Sequence, residues 1–161
     1  MMENFDMITQ TFVGQIISGY FGTVAFAIIF GVPRKFFNVA GIVGAIGWTV
    51  YVGLQRYCDL TGVEATFCAS MTITFASRCF AVTEKCPVTL FRICGLIPLV
   101  PGAGIYWTIY YLMANDFHRA LSTGFVAIKM VIAIVLGMVI IAGIPNKFFK
   151  LLEKKKKIAN S

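Results

Sequence analysis

Two prolines and three glycines interrupt an apolar run at Gly95-Leu96-Ile97-Pro98-Leu99-Val100-Pro101-Gly102-Ala103-Gly104-Ile105-Tyr106, and no other stretch constrains the fold as strongly. A proline has no N–H for the acceptor four residues back, and its ring clashes there. The carbonyls of Cys94 and Ile97 are therefore expected to lose their helical partners. In lipid such groups need replacements, so broken backbone is tolerated only where it is buried in protein or faces a wet cavity. The run predicts a helix broken at a Pro-x-x-Pro-Gly motif, with the break turned toward an internal path or a packing joint.

Composition sets the surroundings of that break. The 161 residues are 58% hydrophobic and 13% charged, with a mean hydropathy of +0.82, which a soluble domain does not reach. A spanning helix takes about 20 apolar residues, so five spans use about 100 residues and leave only short connections. The fold class expected is an all-α integral membrane protein of five transmembrane helices in one domain, 1–161. The spans fall at about 7–30, 36–54, 63–82, 90–113 and 120–144, followed by a basic tail over 145–161. The start Met1-Met2-Glu3-Asn4-Phe5-Asp6 carries two acids and no Lys or Arg, unlike a secretory signal, so the first span is expected to be retained.

Small residues recur where helices would meet. Gly14, Ser18 and Gly22 share one face of the first span, and Gly41, Gly44 and Gly47 mark the second. Such spacing lets backbones approach closely. The third span carries Glu64, Thr66, Ser70, Thr72, Thr74 and Ser77. Its hydroxyls either bond back to their own helix or line a polar path. Trp48, Tyr51 and Tyr57, then Tyr106, Trp107, Tyr110 and Tyr111, read as aromatic belts. The five cysteines form no C-x-x-C pair and serve packing, so neither a disulfide framework nor a metal site is expected.

Charge gives orientation. Eleven of the fourteen basic residues fall on one side of the predicted spans: Arg34, Lys35, Arg78, Lys85, Arg92, Lys147, Lys150 and the four lysines of 154–157. Arg56 and Arg119 fall on the other side, and Lys129 lies inside the fifth span. The positive-inside rule then puts the N-terminus outside and the C-terminus in the cytoplasm of a multi-pass protein. Six basic residues lie in the tail, a position that suits anionic lipid and not nucleic acid. The only histidine, His118, sits in a loop, and no nucleophile elbow, phosphate loop or paired intramembrane acids occur. No enzymatic activity and no cofactor is expected.

The segments Phe30-Gly31-Val32-Pro33, Gly44-Ala45-Ile46-Gly47, Thr66-Phe67-Cys68-Ala69-Ser70-Met71 and Ile97-Pro98-Leu99-Val100-Pro101-Gly102, followed by Tyr106, resemble the threonine/serine exporter family. The likeness runs from about Phe30 to Ile144 and is closest to the short form, the small subunit of the split exporters that include the bacterial succinate exporter. It implies a location in the bacterial plasma membrane and a larger membrane subunit as partner. The implied substrates are small carboxylates or hydroxy-amino acids such as threonine, serine and succinate. Lys129 departs from the succinate-exporter pattern, where a non-charged residue is expected, and an added cation would alter charge selectivity.

Candidate substrate or pathway residues are Pro98, Pro101, Gly102, Ala103, Gly104, Tyr106, Lys129, Thr66 and Ser70; Gly14, Ser18, Gly22, Gly44 and Gly47 are candidates for helix packing. Counted from the outer ends of their spans, Pro101 and Lys129 differ in depth by only about 4.5 Å at 1.5 Å per residue, so one site near mid-membrane is expected to hold both. Pro101 suits the first position of a new half-helix, which would free the N–H groups of Ala103, Gly104 and Ile105 at a positive dipole end. Lys129 instead directed at a freed carbonyl or at an acid of the partner is the plainer reading. For the whole chain, the alternative to a transporter subunit is a non-transporting scaffold whose prolines merely shape packing.

Overall fold

The computed structural model describes residues 12–145, and every regular element among them is helical. Helix α1 (Phe12–Ile29) leads through a 3-10 turn, Arg34–Phe36, into α2 (Phe37–Tyr57). Then come α3 (Gly62–Glu84), α4 (Val88–Leu96), a second 3-10 turn at Ile97–Leu99, α5 (Gly102–Met113) and α6 (Phe117–Ala142). Four stretches, α1, Arg34–Tyr57, α3 and α6, are long and apolar enough to cross a membrane; α4 and α5 add a fifth span, bent by 46° at the proline motif. The expected starts of the first span at 7–11 and the basic tail from 146 onward lie outside the described residues.

Local chemistry explains where the helices stop. α1 ends as Gly31 enters the left-handed region at φ 66° while the Val32 N–H reaches back to the Ala27 carbonyl at 3.0 Å, and Val32 is buried under the turn. α3 opens on a capping box. The Glu64 carboxylate accepts from the Thr61 N–H at 2.9 Å, and the Thr61 hydroxyl accepts from the Glu64 N–H at 3.4 Å. α6 opens on Asp116, which accepts from the Arg119 N–H at 3.2 Å. Both acids serve helix ends.

The bundle alternates up and down. Trp48 packs on Gly19 and Thr23 on Gly44, so α1 and α2 are antiparallel; Tyr51 lies by Gly62 and Gly47 by Ile73, so α2 and α3 are too. Gly62 meets Met130, Gly137 meets Ser70, and Arg78 donates to the Ile141 carbonyl, so α3 and α6 run parallel. One end of the bundle therefore carries the 58–61 loop, and the other carries the turns 30–36 and 84–87.

The core is built of small residues. α3 buries Ala65, Thr66, Ala69, Ser70, Ile73, Thr74, Ser77 and Ala81 at the centre. A Cβ at Gly44 would collide with Thr23, one at Gly47 with Ile73, and one at Gly137 with Ser70, which is how closely these backbones approach. On α1 the buried face is Gly19, Thr23 and Ala27 together with Gly14. Of the small residues expected there, Ser18 is exposed and Gly22 has open space beside it.

Candidate functional site

The break forms in three steps. Pro98 is absorbed into the 3-10 turn Ile97–Leu99, whose tighter winding lets the Val100 N–H donate to the Ile97 carbonyl at 3.0 Å. Val100 precedes a proline and is pushed to an extended ψ of 129°. Pro101, at φ −75° and ψ 59°, then makes an inverse γ-turn in which the Gly102 N–H donates to the Val100 carbonyl at 2.7 Å. α5 starts immediately after.

Two expectations change in detail. The Ile97 carbonyl is partnered by Val100 and not left open. Pro101 is the cap of α5 and not its first residue, and its carbonyl accepts from the Ile105 N–H at 3.1 Å. The amides without an acceptor among the described residues are thus Ala103 and Gly104, at the positive end of the α5 dipole.

A groove of about 550 Å³ opens beside the break. Its floor is Pro98–Gly104, one wall is Trp48 and Tyr51 of α2, and the facing wall is Ser122, Thr123, Val126, Ala127 and Met130 of α6. Five candidate positions, Pro98, Pro101, Gly102, Ala103 and Gly104, thus share one groove. No charged side chain lines it. The Ser122 and Thr123 hydroxyls donate to the Arg119 carbonyl at 3.0 and 2.8 Å, which leaves their oxygen lone pairs as acceptors. Trp48 commits its indole N–H to Gln15 of α1 at 2.8 Å, which fixes the ring that stands 5.3 Å from Tyr51.

The other candidates lie elsewhere. Tyr106 is 61% exposed on α5 and packs edge-on to Trp107. Thr66 and Ser70 are buried, and their hydroxyls donate to the Gly62 and Phe67 carbonyls of their own helix at 2.6 and 2.8 Å. Lys129 does not join the break. It is exposed and lines a second, almost wholly apolar groove of about 580 Å³ with Glu64, Phe67 and Cys68 of α3. Around α6 Lys129 stands about 200° from Ala127 and about 100° from Met130 but only about 60° from Val126, so it leaves the helix beside the first groove and lines the second. The side chain of Met130, the next residue, meets the first residue of α3. This sets Lys129 level with the 58–61 loop.

Trp48, Tyr51, Ser122 and Thr123 are site residues that the sequence did not single out as such. A signal was present for the last two. They are adjacent hydroxyls in the most hydropathic span, four residues before Val126 and Ala127 and hence on the same face.

The arrangement sets two hydrogen-bond donors at a helix N-terminus inside an uncharged groove that also offers hydroxyl acceptors and aromatic faces. Discontinuous helices of this kind mark membrane transporters. The family model described as the threonine/serine exporter, ThrE, matches residues 15–144, and the chain belongs to that family. Its members are transporters and not enzymes, so the chain is a multi-pass membrane protein of exporter type. No curated protein and no solved structure matches it.

Proposed function

We propose that the chain is the small membrane subunit of a two-component exporter, in the bacterial plasma membrane, and that the groove at the broken helix carries a small hydroxy-amino acid. The observation that carries this reading is the pairing of opposite hydrogen-bonding ends across an uncharged groove. A carboxylate suits the Ala103 and Gly104 amides, because an anion is stabilised at a helix N-terminus. An ammonium group suits the Ser122 and Thr123 oxygens and the ring faces of Trp48 and Tyr51. A zwitterion such as threonine or serine satisfies both at once. Succinate brings two negative charges, and no charged side chain lines the groove to meet the second, because Lys129 lines the neighbouring groove.

Export of labelled threonine and of labelled succinate tests the reading, in cells carrying this chain and the larger subunit. Threonine efflux that exceeds succinate efflux, and that falls in Ser122→Ala/Thr123→Val, is the expected result. Preferential succinate efflux, insensitive to that double variant, removes the zwitterion site; the absence of any flux with both subunits present leaves the scaffold reading.

A further inference from the structure

A third groove, of about 290 Å³, opens at the opposite end of the bundle, between the turn that ends α1 and the first two turns of α4. It is lined by Phe30 and Val32 on one side and by Thr89, Leu90, Ile93 and Cys94 on the other. Five of these six side chains carry no oxygen or nitrogen. Thr89 supplies a hydroxyl, without a partner among the described residues.

The end of the bundle where this groove opens is cationic. Arg34 and Lys35 follow Val32 in the 3-10 turn, and the edge-on contact of Phe36 with Phe91 at 5.7 Å holds that turn against α4. Lys35 sits with its ammonium 4.6 Å from the Phe36 ring centre. Arg92 belongs to α4, and Lys85 ends α3 in the left-handed region at φ 52°. Burial and the neighbouring Glu84 carboxylate push the Cys86 thiol up while Lys35 pulls it down, which places Lys35 beside the 84–87 turn as well. Against these four cations the described residues supply one acid at this end, Glu84. α4 opens without a capping side chain and without an acid in its first turn.

From the apolar channel, the cations at its end of the bundle and the unpartnered Thr89 hydroxyl in its lining, we infer that this groove binds one anionic phospholipid, with an acyl chain against Phe30, Leu90 and Ile93 and the phosphate at Arg34, Lys35 and Thr89. A lipid is the occupant that matches both halves: a free phosphate leaves the apolar channel unused, and a choline headgroup brings a positive charge to a site that is already positive. Each cation near the surface favours an anionic headgroup by an amount that makes two of them worth about tenfold or more in binding. The site is distinct from the broken-helix groove and does not rest on the export reading.

Native mass spectrometry of the full chain in non-ionic detergent tests it, with added phosphatidylglycerol, phosphatidylcholine of the same acyl chains, and glycerol phosphate. One phosphatidylglycerol retained with a preference of about tenfold or more over phosphatidylcholine is expected. Arg34→Gln/Lys35→Gln should bring it down to the phosphatidylcholine level. Thr89→Phe, which fills the channel and leaves the charge unchanged, should also lower it, whereas Gln at all four lysines of 154–157 should leave it intact. Equal retention of the two lipids, equal binding of glycerol phosphate, or loss of the adduct in the tail variant alone overturns the assignment.

Discussion

At the scale of single residues, the same residue type has opposite consequences according to what stands beside it. A Cβ at Gly137 would meet the Ser70 hydroxyl and, at 2.8 Å, the Phe67 carbonyl of a backbone that cannot step aside. Gly137→Ala is therefore expected to destabilise the detergent-solubilised protein by about 1–3 kcal/mol, the range for overpacking. Gly22 has open space, and there alanine should stabilise by up to about 1 kcal/mol through helix propensity. Thermal melts of the two variants check the signs. Both glycines look alike in the sequence, because small-residue spacing identifies a face only when the partner's bulk is known. Lys129 teaches a related lesson. Depth counted along two spans sets it at the level of Pro101, but depth does not fix which groove a side chain enters, and Lys129 lines the second groove beside α3. Lys129→Met should then export with unchanged half-saturation. Ser122→Ala/Thr123→Val should raise it about fivefold to thirtyfold, as expected for two lost hydrogen bonds at about 0.5–1 kcal/mol each. A raised half-saturation in the methionine variant returns Lys129 to the site.

At the scale of elements, the broken helix was legible because proline acts through covalent geometry, which tertiary context does not override. The detail was less legible. Whether Pro101 caps or begins α5 depends on the γ-turn that its ring and Gly102 make together, and the same turn sets how many amides remain open. The break is a local cost. Pro101→Ala returns an N–H and removes the ring clash, so a straighter, better-bonded helix becomes accessible and stability should rise by up to about 3 kcal/mol. Export should fall sharply in that variant, since straightening withdraws the Ala103 and Gly104 amides into helical bonds. Spin labels on α4 and α5 would report loss of the 46° bend. A variant that loses the bend and still exports removes the break from the mechanism. The third span shows the converse. Its hydroxyls suggested either self-bonding or a polar path, and only the contact of Ser70 with Gly137 at the α3–α6 interface shows that they are used in packing.

At the scale of the whole molecule, the count of spans and their alternation followed from hydropathy and charge, whereas the incompleteness of the bundle did not. α5 has no buried residue and packs mainly on α6, so the broken-helix groove has its α2 and α6 walls but nothing among the described residues closes its mouth. On α5 and α6 Ile105, Trp107, Ile109, Leu121, Phe125 and, at the groove itself, Val126 are exposed. Lipid meets such a surface without cost. It cannot enclose a zwitterion, however, because the ammonium and carboxylate of a substrate would face hydrocarbon across the open side, and charged groups at depth are stable only against protein or water. Closure therefore requires helices from outside the described residues, and the partner subunit of the proposed exporter is their natural source. Proteoliposomes holding this chain alone should show no threonine efflux above empty vesicles, and addition of the larger subunit should restore it. A cysteine placed at Val126, at the edge of the groove, should react with a thiol reagent in the lone chain and be protected when the partner is present. Efflux by the chain alone, with Val126→Cys equally reactive in both preparations, would mean that copies of this chain or bilayer water close the groove, and the two-component reading would fall with it.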